Sequence, residues 1–138
     1  MNNTDQPLDD LVRLFATRWE RLGEPEVGEG LLADPVLVLG PEATVPVPRT
    51  EFLTAVSARA DAVSAVSAPP TRLAGVTAQA LGERMVVATI TWSFGPPDGA
   101  VTLVSDFLLQ REEPGSLRCV AYLPRTNVMD HLPRAGDR

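Results

Sequence analysis

The sequence predicts an α+β fold, with N-terminal helices packed on one face of a curved, mostly antiparallel sheet. Three observations carry this expectation. Apolar residues between 8 and 22 recur at spacings of three and four, which is the period of a helix with one buried stripe. From residue 73 the period drops to two, over four long runs separated by turn-forming residues. The third run, residues 101–109, is apolar at odd and even positions alike, so it needs cover on both of its faces. Helices on one side can supply only half of that cover.

Composition narrows the function classes. A chain of 138 residues is large enough for one domain with its own core. We expect a single domain over 1–138, with an ordered core of about 6–125 and a polar tail over 126–138. No run approaches the ~18 to 20 apolar residues of a membrane span, and the N-terminus lacks the basic flank and apolar run of a signal peptide. A cytoplasmic location and no membrane partner are therefore expected. The net charge is −6, and all 12 basic residues are arginines scattered singly. Nucleic-acid phosphates demand a basic patch, so no nucleic-acid partner is expected. Cys119 is the one cysteine, so no internal disulfide can form, and its apolar strand predicts an inert, packed thiol.

Taken in order, the chain begins with five polar residues. A helix is predicted from about Gln6, with Pro7, Asp9 and Asp10 in its first turn, where the missing amide and the negative charges suit the helix dipole. Leu8, Leu11, Val12, Phe15, Trp19 and Leu22 form its stripe, and Gly23 ends it. Residues 24–29 are acidic and turn-rich, with room for a short helix. Residues 35–40 read as a strand and 43–47 as its returning partner. Pro46 and Pro48 lack amide donors and restrict that partner to an edge. A second main helix follows Pro48, capped near Arg49 or Thr50, with Phe52, Leu53, Val56, Ala60 and Val63 as its stripe, and 68–71 closes it. The four long strands are then predicted over 73–81, 84–94, 101–111 and 117–123. Gly82 and Glu83 make the first turn, 95–99 the second and 112–116 the third. In the second of these strands Val86, Ala88, Ile90, Trp92 and Phe94 share a face, and Met85, Val87, Thr89, Thr91 and Ser93 the other. In the last strand, Tyr122 is expected to face the outer surface, opposite in sense to Cys119 and Leu123.

The run Ser105-Asp-Phe-Leu-Leu-Gln-Arg-Glu-Glu-Pro-Gly-Ser-Leu-Arg-Cys-Val-Ala-Tyr122, with the first helix and Ala33-Asp34-Pro35 at the first strand, resembles the NTF2-like superfamily. That superfamily is the cone-shaped α+β fold of ketosteroid isomerases and SnoaL-type cyclases, and the resemblance spans roughly residues 7–125. It implies the fold well and the chemistry weakly. The isomerases' oxyanion-hole aspartic acid would correspond to Asp106. Their helix-borne tyrosine would correspond to Phe15, which has no hydroxyl, and their general-base aspartate to Gly40 and Pro41. Two of three catalytic groups are absent, which argues against steroid-type isomerisation. The Asp-Arg-Asp grouping of the limonene-epoxide-hydrolase branch is not present either.

Asp106 is the candidate catalytic residue. Among apolar neighbours its carboxyl would be held protonated by desolvation and could donate a hydrogen bond. Pairing with an arginine is the plainer alternative. Phe15, Trp19, Val86, Ala88, Ile90, Trp92, Val104, Leu108, Cys119 and Leu123 are the candidate lining of a cone pocket for an apolar small molecule. No cofactor is expected. His131 has no second ligand near it in sequence, so no metal site is expected. The same lack removes a Ser-His-Asp triad, and no phosphate-cradling glycine motif is present. Arg118 and Arg125 read as surface residues or partners of Glu112 and Glu113. Three readings stay open. The first is an apolar-ligand-binding protein of specialised metabolism. The second is a cofactor-independent cyclase, isomerase or epoxide-opening enzyme using Asp106. The third is a dimerisation or partner-binding module. A homodimer is expected through the outer sheet face, carried by Met85, Val87, Val120 and Tyr122 beside residues 101–109.

Overall fold

The computed structural model describes residues 8–22, 24–65, 72–94, 100–113 and 116–125. Their order is α1 (Leu8–Trp19), α2 (Pro25–Leu31), β1 (Leu32–Leu39), β2 (Thr44–Val47), α3 (Arg49–Ala65), β3 (Arg72–Leu81), β4 (Met85–Phe94), β5 (Val101–Glu113) and β6 (Ser116–Pro124). Expectations placed on Gln6, Pro7, Gly23, 68–71, 95–99, Pro114, Gly115 and the tail with His131 lie outside the described residues. So do the side chains of Ala60, Val63 and Phe94.

α1 carries Asp9 and Asp10 in its first turn and Arg18 in its last, each sign at the end of the helix dipole that favours it. Leu11, Val12, Phe15, Ala16 and Trp19 are buried along one side. α2 opens with Pro25, whose fixed φ suits a first helical position. It stops where Leu32 turns to φ −116° and ψ 138° and begins β1. Gly28 at its middle allows a close approach to α3, because a Cβ there would come within 2.5 Å of a Leu53 methyl and the leucine would have to shift. The start of α3 is secured from outside the helix. The Asp34 carboxylate accepts the Arg49 amide at 3.0 Å, satisfying one of the four donors that a helix N-terminus leaves open.

The six strands form one sheet in the order β2-β1-β6-β5-β4-β3. All neighbours are antiparallel except β1 with β6, which are parallel. The register sorts side chains into two faces. Val86 lies opposite Leu109, Ala88 opposite Phe107, Ile90 opposite Ser105 and Trp92 opposite Leu103. These residues are buried and meet the helices in one core. Met85, Val87, Thr89, Thr91 and Ser93 lie opposite Gln110, Leu108, Asp106, Val104 and Thr102 on the outer face.

β6 departs from simple alternation. Leu109 lies opposite Cys119, but Leu108 lies opposite Ala121, so Val120 is an extra residue, a β-bulge. A one-residue slip exchanges the faces of everything beyond it. Tyr122 therefore lies opposite Phe107 and is buried, while Leu123 lies opposite Asp106 on the outer face. Both positions reverse the sequence expectation, which extended the alternation of Cys119 straight through the strand.

Candidate functional site

Asp106 sits at the middle of β5, and its side chain is on the outer face. Thr89 is directly across on β4 and Leu123 directly across on β6. The chain then leaves β6, and the Arg125 amide donates to the Val104 carbonyl at 3.0 Å. The ladder thus runs one residue further, and alternation from Leu123 puts Arg125 on the outer face, diagonally across from Asp106. Thr89 Oγ1 donates to Asp106 Oδ1 and Arg125 Nε to Asp106 Oδ2, each at 2.5 Å. The Asp106 side chain is only 18% exposed, whereas that of Arg125 is 57% exposed.

Burial alone would raise the Asp106 pKa. The hydrogen bonds from Arg125 and Thr89, with the Arg125 charge, outweigh burial and hold the carboxyl below its ordinary value. Asp106 is therefore an ionised acceptor at neutral pH and not a stored proton. The acid that the resemblance would match to an oxyanion hole faces away from the helices and does not point into the interior. Phe15 is interior and offers only a ring, and Gly40 follows the end of β1 without a side chain.

The interior is packed with aromatic rings. Trp19 meets Phe107 at 4.7 Å, Tyr122 at 5.1 Å and Phe52 at 5.8 Å between centroids. Phe15 meets Phe107 at 5.3 Å, and Phe107 meets Tyr122 at 5.3 Å. These are ordinary separations for tilted and edge-on ring pairs in a core. Of the candidate lining, Phe15, Trp19, Val86, Ala88, Ile90, Trp92 and Cys119 all lie on this inner side and are buried. Val104, Leu108 and Leu123 do not join them, because the register places all three on the outer face with Asp106. Cys119 is fully buried and its Sγ donates to the Ala121 carbonyl at 3.4 Å. Burial pushes its thiol up to about 12.

Sequence reasoning missed four groups that matter here. Phe107 and Tyr122 are central to the ring cluster, and Thr89 and Arg125 hold Asp106. A tally of polar side chains could have assigned β5 correctly. Between 101 and 110 its outer positions include Thr102, Asp106 and Gln110, its inner ones only Ser105. Spacing would place Arg125 two residues past Leu123 on the same face, but only once the bulge at Val120 fixes which face that is. Arg118 does pair with Glu112, at 3.2 Å, and also donates through Nη1 to the Leu32 carbonyl. Among the described residues no group of His, Cys, Asp or Glu could hold a metal ion, and no helix is long and apolar enough to cross a membrane.

No family model matches the sequence, and no curated protein does. Solved structures do match. An NTF-2 like protein of unknown function from Shewanella oneidensis superposes with a TM-score of 0.62 at 13% identity, covering 86% of this chain and 98% of that one. A putative ketosteroid isomerase from Shewanella frigidimarina gives 0.59 at 13% identity, covering 88% and 96%. The association domain of C. elegans CaMKII gives 0.59 at 13% identity, covering 85% and 93%. At such identities the likeness speaks to the fold alone, here helices on one face of a six-stranded, mostly antiparallel sheet. This chain has the NTF2-like fold.

Proposed function

We propose that this protein is a homotypic association module, in which two copies pair through the outer face of the sheet. The observation that carries the reading is one apolar row across that face. Val87, Leu108, Ala121 and Leu37 are successive neighbours on β4, β5, β6 and β1. Val87 is 38% and Leu37 37% exposed, and no described element covers them. The extent of the face fits as well. Strands of about ten residues and five interstrand steps make a surface of roughly 30 by 24 Å, on the order of 700 Å2. A standard interface buries about 800 Å2 per partner. Another bearer of this fold is named as an association domain, which supports the use of the fold for assembly.

The enzyme reading needs an acid aimed into the interior, and Asp106 is ionised, paired and outside. The reading of an apolar ligand in the cone needs Trp19, Phe52, Phe107 and Tyr122 to part, because they already touch one another.

Sedimentation at about 10 μM should give twice the 14.8 kDa chain mass. Leu108→Glu should return the mass to that of one chain. A carboxylate buried without a partner weakens pairing by on the order of a hundredfold or more. A wild-type monomer across the whole concentration range would end the proposal. An apolar metabolite that raises the melting temperature of the Leu108→Glu protein would instead favour the cone ligand.

A further inference from the structure

Asp106 stands on the same face as the apolar row, two residues from Leu108. Pairing centred on that row therefore carries its carboxylate out of water. Its neighbours there are Val104 and Leu108 along β5, Val87 and Thr89 on β4, and Ala121 and Leu123 on β6. None of these carries a charge. A bare carboxylate in such a place opposes burial, because an unpaired ion loses more on leaving water than the contact returns.

Arg125 changes that balance. Its Nε donates to Asp106 Oδ2 from diagonally across the ladder, while Thr89 Oγ1 donates to Oδ1. Both carboxylate oxygens are held by donors of the same chain, and the ion pair is neutral as a unit. Its two members differ in their access to water. The Asp106 side chain is mostly buried in the sheet surface, whereas Arg125 is more than half exposed and follows the last residue of β6, at the margin of the face.

We propose that Arg125 is the residue that lets the outer face pair, by neutralising Asp106 within the contact. The inference rests on the pairing through that face proposed above, and it adds an asymmetry between the two partners of the ion pair. Removing the arginine strands an acid in the contact, once for each copy, since Asp106 points out of the middle of a strand and cannot turn away. Removing the acid frees an arginine at the margin, whose long side chain carries its charged head to water. Removing both leaves no charge to bury. Breaking a buried ion pair is strongly unfavourable, whereas replacing the whole pair with neutral groups is often harmless.

The test is the dissociation constant of the dimer, measured by sedimentation over a dilution series. Arg125→Met keeps most of the side-chain length without the charge, and should raise the constant roughly a hundredfold. Asp106→Asn should change it by less than about fivefold, and the double variant Asp106→Asn/Arg125→Met should return to within about fivefold of the wild type. A role in the fold alone would not give this rescue. Arg125→Lys keeps the charge and should stay within about tenfold of the wild type. A wild-type dimer whose constant is unmoved by Arg125→Met would overturn the role of Arg125 and leave pairing through the face intact. So would a double variant as weak as Arg125→Met, or equal losses in the Met and Lys variants. A wild type that stays monomeric throughout would overturn both proposals.

Discussion

Asp106 takes one hydrogen bond from a neighbouring strand and one, with a charge, from the residue that ends the sheet. Its folded-state pKa lies below its ordinary value, so the unfolded chain binds the proton more readily. The stabilisation is therefore complete above the unfolded value of ~3.9 and is lost as pH falls through the folded value. Arg125 is more than half exposed, and solvent screens its charge, so the pair is worth about 0.5–1 kcal/mol. Asp106→Asn should lower stability by about that amount at pH 7 in denaturant titrations, and the difference should close in acid. A variant as stable as the wild type at pH 7 would show that the pair contributes nothing. Cys119 gives a second test at this scale. With its thiol raised to about 12 and no exposed surface, it should label only at the rate of unfolding. Native-state labelling as fast as that of a free thiol would contradict its position on the inner face. The burial of Cys119 was legible from its apolar strand. The face of Asp106 was not, because 101–109 is apolar on both sides and hydropathy alone cannot choose between them.

The element that most altered the expected picture is β6. Its existence and length were readable from alternation, and so was its pairing with β5. The extra residue at Val120 was not, because a bulge leaves the composition of a strand unchanged and shows only in register. Its effect is large. It turns Tyr122 inward onto Trp19, Phe52 and Phe107, and so completes the ring cluster between helices and sheet. Tyr122→Ala should destabilise by about 3–5 kcal/mol, as for other large-to-small changes of buried rings. Tyr122→Phe keeps the ring and should lose about 1 kcal/mol or less. Urea unfolding distinguishes these from an outward-facing tyrosine, for which the alanine change would be worth well under ~1 kcal/mol. The first turn of the long strands was better signalled. Gly82 has φ +70°, a left-handed conformation where a side chain is strained by about 1–2 kcal/mol even though open space surrounds it.

At the scale of the whole molecule, periodicity specified which residues are helix, which are strand and which face of β4 is buried, because those depend on local sequence. It could not say whether the cone would be open, because that depends on rings from α1, α3, β5 and β6 meeting at one place. Phe15 and Trp19 are neighbours on α1, but Phe52, Phe107 and Tyr122 are far from them in the chain, and only the tertiary fold brings the five together. The side of the sheet that no described element covers offers apolar surface, and association there has a thermodynamic signature. A dimer that forms only from folded chains is stabilised by mass action, so its melting temperature rises with protein concentration. For a chain of this length each tenfold increase should add about 2 °C, from ~0.7 kcal/mol per chain divided by an unfolding entropy near ~0.3 kcal/mol/K. Scanning calorimetry from about 1 to 100 μM should show that slope in the wild type. Leu108→Glu should flatten it, as the row Val87, Leu108, Ala121 and Leu37 would then have a charge at its centre. A wild-type melting temperature that does not move with concentration would mean that the outer face stays in water, and the apolar row would need another occupant.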